Sequence, residues 1–166
     1  MLDLRGKRGL IMGVANERSI AWGIAKAMSD AGAELAFTYQ GETFGKRLHP
    51  LADSVGSNLM LDVDVTDDTS LDRAFDQLQN SWTSLDFVVH AIAYSEKNEL
   101  TGRFMNTTRA NFKNSLDISS YSFVEIARRS HPMMVENGGT LLTLTYQGSN
   151  RCLLYTSDAA DEGLGV

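Results

Sequence analysis

The sequence predicts a doubly wound α/β domain, a Rossmann-type parallel sheet of about five strands in the order 3-2-1-4-5 with helices on both faces. Three observations lead there. Short apolar runs alternate with stretches of helical periodicity; the first run stops at a glycine just before a helix opens; and Leu85 to Ile92 is continuously apolar, as strands buried on both faces are. Parallel strands need crossover connections, and right-handed crossovers place helices on both faces of the sheet.

Arg8 to Met12 is the first run, stopped by Gly13. Ile20, Ile24, Ala27 and Ala31 then recur at helical spacing, with Gly32 where a C-terminal cap belongs. Glu34 to Tyr39 is a second strand, and the stretch to Val55 is helical but interrupted by Pro50. Asn58 to Val65 reads as a third strand, Leu71, Phe75 and Leu78 stripe a helix, and Leu85 to Ile92 is the fourth strand. Phe112, Leu116, Phe123 and Ala127 stripe one long helix; Gly138 and Gly139 then introduce a fifth strand, Thr140 to Thr145. Phe112, Leu116, Phe123 and the pair Met133 and Met134 are expected in the core rather than in a ligand pocket.

A chain of 166 residues, 43% hydrophobic with 14 glycines and 2 prolines, has a globular composition and the length of one domain. Fifteen basic against 21 acidic side chains leave a formal charge of -6, which repels nucleic-acid phosphates and anionic lipid, so neither is an expected partner. Cys152 is the single cysteine, and no apolar run reaches the roughly 18 residues needed to span a bilayer. A cytoplasmic protein is expected. His49, His90 and His131 show no metal spacing, so no metal site is expected and all three read as structural histidines.

A ligand of such a sheet binds beyond the carboxyl ends of the strands, where the strand order reverses. The turn there, Gly13 to Gly23 (GVANERSIAWG), lacks the full spacing of a dinucleotide fingerprint. It keeps the physics: Gly13 permits a tight turn, and Ser19 and Ala21 open a helix whose first amides suit a pyrophosphate. A plain strand-to-helix turn explains the same residues. Gln40 stands at the end of the second strand, where dinucleotide sites often carry an acid; its amide can bond a ribose hydroxyl, and NADH is favoured over NADPH, although Lys46 and Arg47 are near. Asp64 and Val65 close the third strand where an adenine would lie, or Asp64 is a turn carboxylate.

These blocks, with Phe37 to Gln40 (FTYQ), Asp86 to Ile92 (DFVVHAI) and Leu141 to Tyr146 (LLTLTY), resemble the bacterial NADH-dependent enoyl-[acyl-carrier-protein] reductases, a divergent branch of the short-chain dehydrogenase/reductases. The resemblance runs from residue 1 to about Arg151 and implies one dinucleotide-binding domain over 1–151. By position it assigns Gly13, Ser19, Ile20, Gln40, Asp64, Val65 and Ile92 to NADH, Ser95 to the acyl group, and Tyr146 to one of two tyrosines of the catalytic site. The implied reaction is hydride transfer to the β-carbon of a trans-2-enoyl thioester on acyl carrier protein, in fatty-acid elongation, by a homotetramer. Arg128 and Arg129 could meet an acidic carrier or simply end a helix.

In that family a second tyrosine lies ten residues past the one matching Tyr146, and a lysine seven further on. Here those positions hold Thr156 and Gly163, Tyr155 has Ala159 and Glu162 at the two lysine spacings, and no lysine follows Lys113. The string from Cys152 to Glu162 (CLLYTSDAADE) resembles a translated sequencing adapter, so residues 152–166 are expected to be a non-native tail rather than an authentic acidic C-terminus. Two functions are expected to compete: an enoyl-thioester reductase inactive in this form, or a non-catalytic module that holds part of a dinucleotide.

Overall fold

Leu10 and Met12 of β1 (Arg8–Met12) point to one face of the sheet and Ile11 to the other, and all three are fully buried. The alternation repeats along β2 (Glu34–Tyr39), where Ala36 opposes Leu35 and Phe37, and along β4 (Phe87–His90), where Val88 opposes Val89. A strand covered on both faces has no polar side, which is why these segments read as unbroken apolar runs. With β3 (Leu59–Asp62) and β5 (Thr140–Thr143), the strands form one parallel sheet in the order β3-β2-β1-β4-β5, as the sequence predicts. Residues 3–146 are described by this computed structural model; the tail from Cys152, with Tyr155, lies outside them.

Two helix pairs sandwich the sheet. On one face α1 (Ile20–Asp30) and α2 (Gly41–Ser54) bring Ala21, Trp22, Leu48 and Ala52 onto Ile11, Phe37 and Val89. On the other, α3 (Asp68–Ser81) and α5 (Ser122–Met134) bring Leu71, Leu78, Ile126 and Met134 onto Leu10, Met12 and Val88. Asp67 caps α3 by accepting the Thr69 amide at 3.0 Å, and Thr108 caps α4 (Arg109–Leu116) by accepting that of Asn111 at 3.1 Å. Arg129 ties α5 to α3, 2.7 Å from Asp72 and 3.1 Å from Asp68, and with Arg128 it pairs with buried Glu125. Both arginines thus engage carboxylates of their own chain.

The structure corrects five expectations. Pro50 does not interrupt its helix: α2 runs through it, on an exposed face where the carbonyl left without an amide partner stays open to water. The long fourth helix is not uniform, because a π-turn over Asp117–Tyr121 separates α4 from α5. One extra residue in the turn rotates the downstream helix by about 100°. Phe112 and Leu116 therefore fall on a different face from Phe123 and stand half exposed, at 52% and 50%, instead of in the core; Met133 and Met134 are buried. His49 and His131 are exposed, and only His90 is a buried, hydrogen-bonded histidine. The third, fourth and fifth strands end earlier, at Asp62, His90 and Thr143.

Asp86 anchors the opposite end of the sheet, accepting from Lys7 Nζ at 2.7 Å and from the Arg8 amide at 2.9 Å. Partial burial works to raise its pKa, but the Lys7 and Arg8 hydrogen bonds and charges prevail and hold the carboxyl below the usual range. Its stabilisation is then complete above the unfolded-state value of about 3.9 and disappears as pH falls through the lower folded-state value. Urea melts of the chain and of Asp86→Asn are expected to differ most near neutrality and to converge below about pH 4; a constant difference down to low pH contradicts the assignment.

Candidate functional site

At the carboxyl end of the sheet, Ala91 N donates to Met12 O at 3.1 Å between β4 and β1, and Val63 N donates to Tyr39 O at 2.7 Å between β3 and β2. Beyond them the chain segments part at the point where the strand order reverses, and a cleft of about 550 Å³ opens at the carboxyl ends of the strands. Its walls are the segments that leave the ladder: 13–15, 38–40, 63–66 and 91–94. Phe44 of α2, Asn114 of α4 and Ile118 of the π-turn close the sides. The volume is that of a site for a small molecule or cofactor.

Gly13 takes φ of 91°, and a Cβ there would lie 2.1 Å from the Ala91 carbonyl oxygen, so the close approach of the two strand ends requires glycine. The next residues fold tightly, Asn16 Oδ1 accepting from Arg18 N at 2.8 Å and Ser19 Oγ from Asn16 N at 3.2 Å. This turn delivers Ser19 to the N-cap of α1, whose side chain makes no capping bond there, and no acid occupies the first helical turn. The helix therefore keeps its positive end and its first amides for an outside anion. Ile20 is 69% exposed beside them.

Gln40 precedes α2 without capping it, because Asp62 Oδ1 accepts the Gly41 amide at 2.9 Å instead, and this leaves the Gln40 side chain on the cleft wall. The neighbouring cations are engaged: Lys46 Nζ lies 2.6 Å from Glu42, and Arg47 stacks 5.9 Å from the Phe44 ring centre. Asp64 is a turn carboxylate as well as a cleft residue. Its Oδ1 accepts the Thr66 hydroxyl at 2.7 Å and the Thr66 amide at 2.9 Å, and these two bonds, with help from Gln40, lower its pKa against the opposing effect of partial burial.

Of the residues singled out in the sequence, Gly13, Gln40, Asp64, Val65 and Ile92 come together in the cleft. Ser19 and Ile20 stand at the end of α1 and not among the lining residues. Ser95 is half-buried and accepts Nδ2 of buried Asn111 at 3.0 Å, while Asn111 Oδ1 accepts the Glu96 amide at 2.9 Å; the loop leaving β4 is thereby pinned to α4. Tyr146, 72% exposed just past β5, does not line the cleft either. Sequence reasoning misses Phe44, Tyr94, Asn114 and Ile118. Only the i, i+4 spacing of Asn114 and Ile118, which puts both on one side of a helix, could have signalled the last two. Among the described residues no group of three metal-ligating side chains occurs, and no helix is long and apolar enough to cross a membrane.

Comparison with known proteins agrees with this fold. The family described as "Enoyl-(Acyl carrier protein) reductase" matches residues 13–158, past the Arg151 at which the resemblance read from the residues stops. The chain is 57% identical over 150 residues to enoyl-[acyl-carrier-protein] reductase [NADH] 2 of Rhizobium meliloti, covering 90% of this chain and 56% of that one. It is 46% identical, over 90% of this chain and 57% of the relative, to the enoyl-[acyl-carrier-protein] reductase [NADH] FabI of Rickettsia typhi. Among solved structures, FabI from Candidatus Liberibacter asiaticus superposes with a TM-score of 0.88 at 53% identity, over 92% of this chain and 59% of that one. The reductase of Anaplasma phagocytophilum, solved in complex with NAD, gives 0.86 at 52%, over 90% and 56%. The chain thus spans little more than half the length of these relatives. A parallel sheet in the order 3-2-1-4-5, a glycine-led bend at its switch point and a family match across most of the sequence have one reading: this chain belongs to the enoyl-(acyl carrier protein) reductase family.

Proposed function

We propose that the chain is the NADH-holding part of an enoyl-[acyl-carrier-protein] reductase, acting in the cytoplasm on trans-2-enoyl thioesters carried by acyl carrier protein. The observation that carries the reading is the cleft at the switch point, floored by Gly13 and Ile92 and flanked by Gln40 and by Asp64 and Val65. The residues present fit a dinucleotide. The uncapped start of α1 suits the pyrophosphate, Gln40 offers an amide to a ribose hydroxyl, and the half-buried Val65 and Ile92 give apolar walls for the rings. Bound NADH would supply the hydride for the β-carbon. The chain's own part is to hold the cofactor; the donor aimed at the thioester oxygen, where charge develops, is in the family the second tyrosine, absent here, and Tyr146, exposed just past β5, is the other tyrosine of that site.

Titration of the 166-residue chain with NADH, followed by fluorescence, is expected to show saturable binding, while a crotonyl thioester assay shows no turnover above background. Nothing after Tyr146 supplies the tyrosine and lysine at the family spacing, and the loss of one such donor costs on the order of a hundredfold to a thousandfold. Rapid NADH oxidation by the chain overturns the inactive reading; failure of the folded chain to bind NADH overturns the proposal itself.

Gln40 carries the choice of cofactor. Lys46 pairs with Glu42 on the surface and Arg47 stacks on Phe44, so no cation is bonded to Gln40 itself. Gln40→Arg is therefore expected to shift the ratio of NADPH to NADH affinity by about tenfold, the size of one charge-assisted bond, in paired binding titrations. An unchanged ratio removes Gln40 from the ribose site.

A further inference from the structure

His90 ends β4 directly below the cleft, 1% exposed, and belongs to none of the residues assigned to the cofactor or substrate. Its Nε2 lies 2.8 Å from Ser122 Oγ at the start of α5, and its Nδ1 lies 3.3 Å from Thr143 Oγ1 at the end of β5. The Ser122 hydroxyl also lies 2.6 Å from the Ile118 carbonyl oxygen, back across the π-turn. A carbonyl can only accept, so the serine proton goes to Ile118 and the serine oxygen must accept from Nε2–H. The imidazole is thereby fixed as the Nε2–H tautomer, and Nδ1 is left to accept the Thr143 hydroxyl. Burial lowers the pKa of the ring against a smaller opposing effect of its own backbone, so it stays neutral. Around it the Phe123 ring is tilted 5.4 Å away, and neither hydroxyl partner is ionisable.

The consequence lies one residue away. Ala91 and Ile92, which follow His90, line the cleft floor, and Ile118, whose carbonyl receives the Ser122 proton, lines its side. The Leu144 amide also donates to the His90 carbonyl at 3.4 Å, so β5 is tied to the same residue twice. We propose that His90 is a positioning residue: through Ser122 and Thr143 it locks the π-turn and the end of β5 to the end of β4, and so sets Ile118 and Ile92 at the spacing that the cofactor cleft requires. The effect on cofactor affinity rests on the proposed NADH site; the lock itself does not.

The test uses the full chain with ring-¹⁵N histidine and methyl-labelled isoleucine. The wild type is expected to show the Nε2–H tautomer for His90 at neutral pH. Ser122→Ala is expected to shift the Ile118 and Ile92 methyl signals together and to weaken NADH binding about tenfold, the value of one buried hydrogen bond. Thr143→Val, a change of similar shape on an exposed strand, keeps the lock falsifiable if the first variant unfolds. It is expected to mix the His90 tautomers and weaken NADH binding about threefold, the loss of a weaker bond. An Nδ1–H tautomer in the wild type, or folded variants with both methyl signals unmoved, overturns the lock. A wild type with the expected tautomer and coupled methyl shifts but no NADH binding overturns the cofactor reading alone.

Discussion

Gly13→Val is expected to abolish NADH binding and to destabilise the fold by several kcal/mol, on the order of 3 or more, because two separate costs fall on one residue. The first is conformational: φ of 91° is left-handed backbone that a β-branched side chain resists, at about 1–3 kcal/mol. The second is steric. The new Cβ would lie 2.1 Å from the Ala91 carbonyl oxygen and 2.5 Å from its carbon, and backbone atoms cannot swing aside as a side chain can. Relief requires β1 and β4 to separate beyond the Met12 and His90 pair, and this is the edge on which the cleft is built. Gly56→Ala isolates the first cost, since Gly56 has φ of 70° with open space around its missing Cβ and lies away from the cleft. Urea denaturation and NADH titration of both variants check the argument. Gly56→Ala should lose about 1 kcal/mol and keep its NADH affinity. A Gly13→Val protein that binds NADH normally would mean that the bend does not shape the cofactor floor.

That bend was legible in the sequence, and so was most of the sheet, for a shared physical reason. Strands covered on both faces write themselves as apolar runs, and a turn that admits only glycine interrupts them at Gly13. The same reasoning over-extends at strand ends. Val65 and Ile92, past the last ladder bonds of Val63 and Ala91, are apolar because they wall a cleft rather than because they pair in a ladder, and a run of apolar letters does not distinguish the two. The π-turn left no periodic signal, since its insertion shows only as a phase slip between Leu116 and Phe123, and this slip hid Asn114 and Ile118 from the site. Pro50 misled for the opposite reason: a helix breaker is tolerated where the carbonyl it orphans faces solvent. The His90 contacts are unreadable from sequence, since Ser122 and Thr143 lie 32 and 53 residues away.

The second large effect belongs to β5. Its four residues are all exposed, and Leu141, Leu142 and Leu144 stand open at 36%, 43% and 40%. Among the described residues β5 pairs only with β4, so its outer row of amides and carbonyls faces no strand. An apolar strand with an unpaired edge is a template for a second copy of itself, and these exposed leucines supply the driving force. The 166-residue chain is therefore expected to self-associate at micromolar concentration, with light scattering that rises on warming and bound fluorescent dye reporting exposed apolar surface. Leu142→Lys places a charge on that strand, opposite Val89 in the ladder, without touching the cleft. A charge that must be buried between two stacked edges costs far more than one left in water, so association should slow by tenfold or more, equivalent to about 1.4 kcal/mol. NADH binding should be unchanged in the same samples, since Leu142 lies on the wall of a different hollow with Phe87 and Gly139. Equal scattering by the two proteins would place the sticky surface elsewhere, with half-exposed Phe112 and Leu116 of α4 as the next apolar surface to charge.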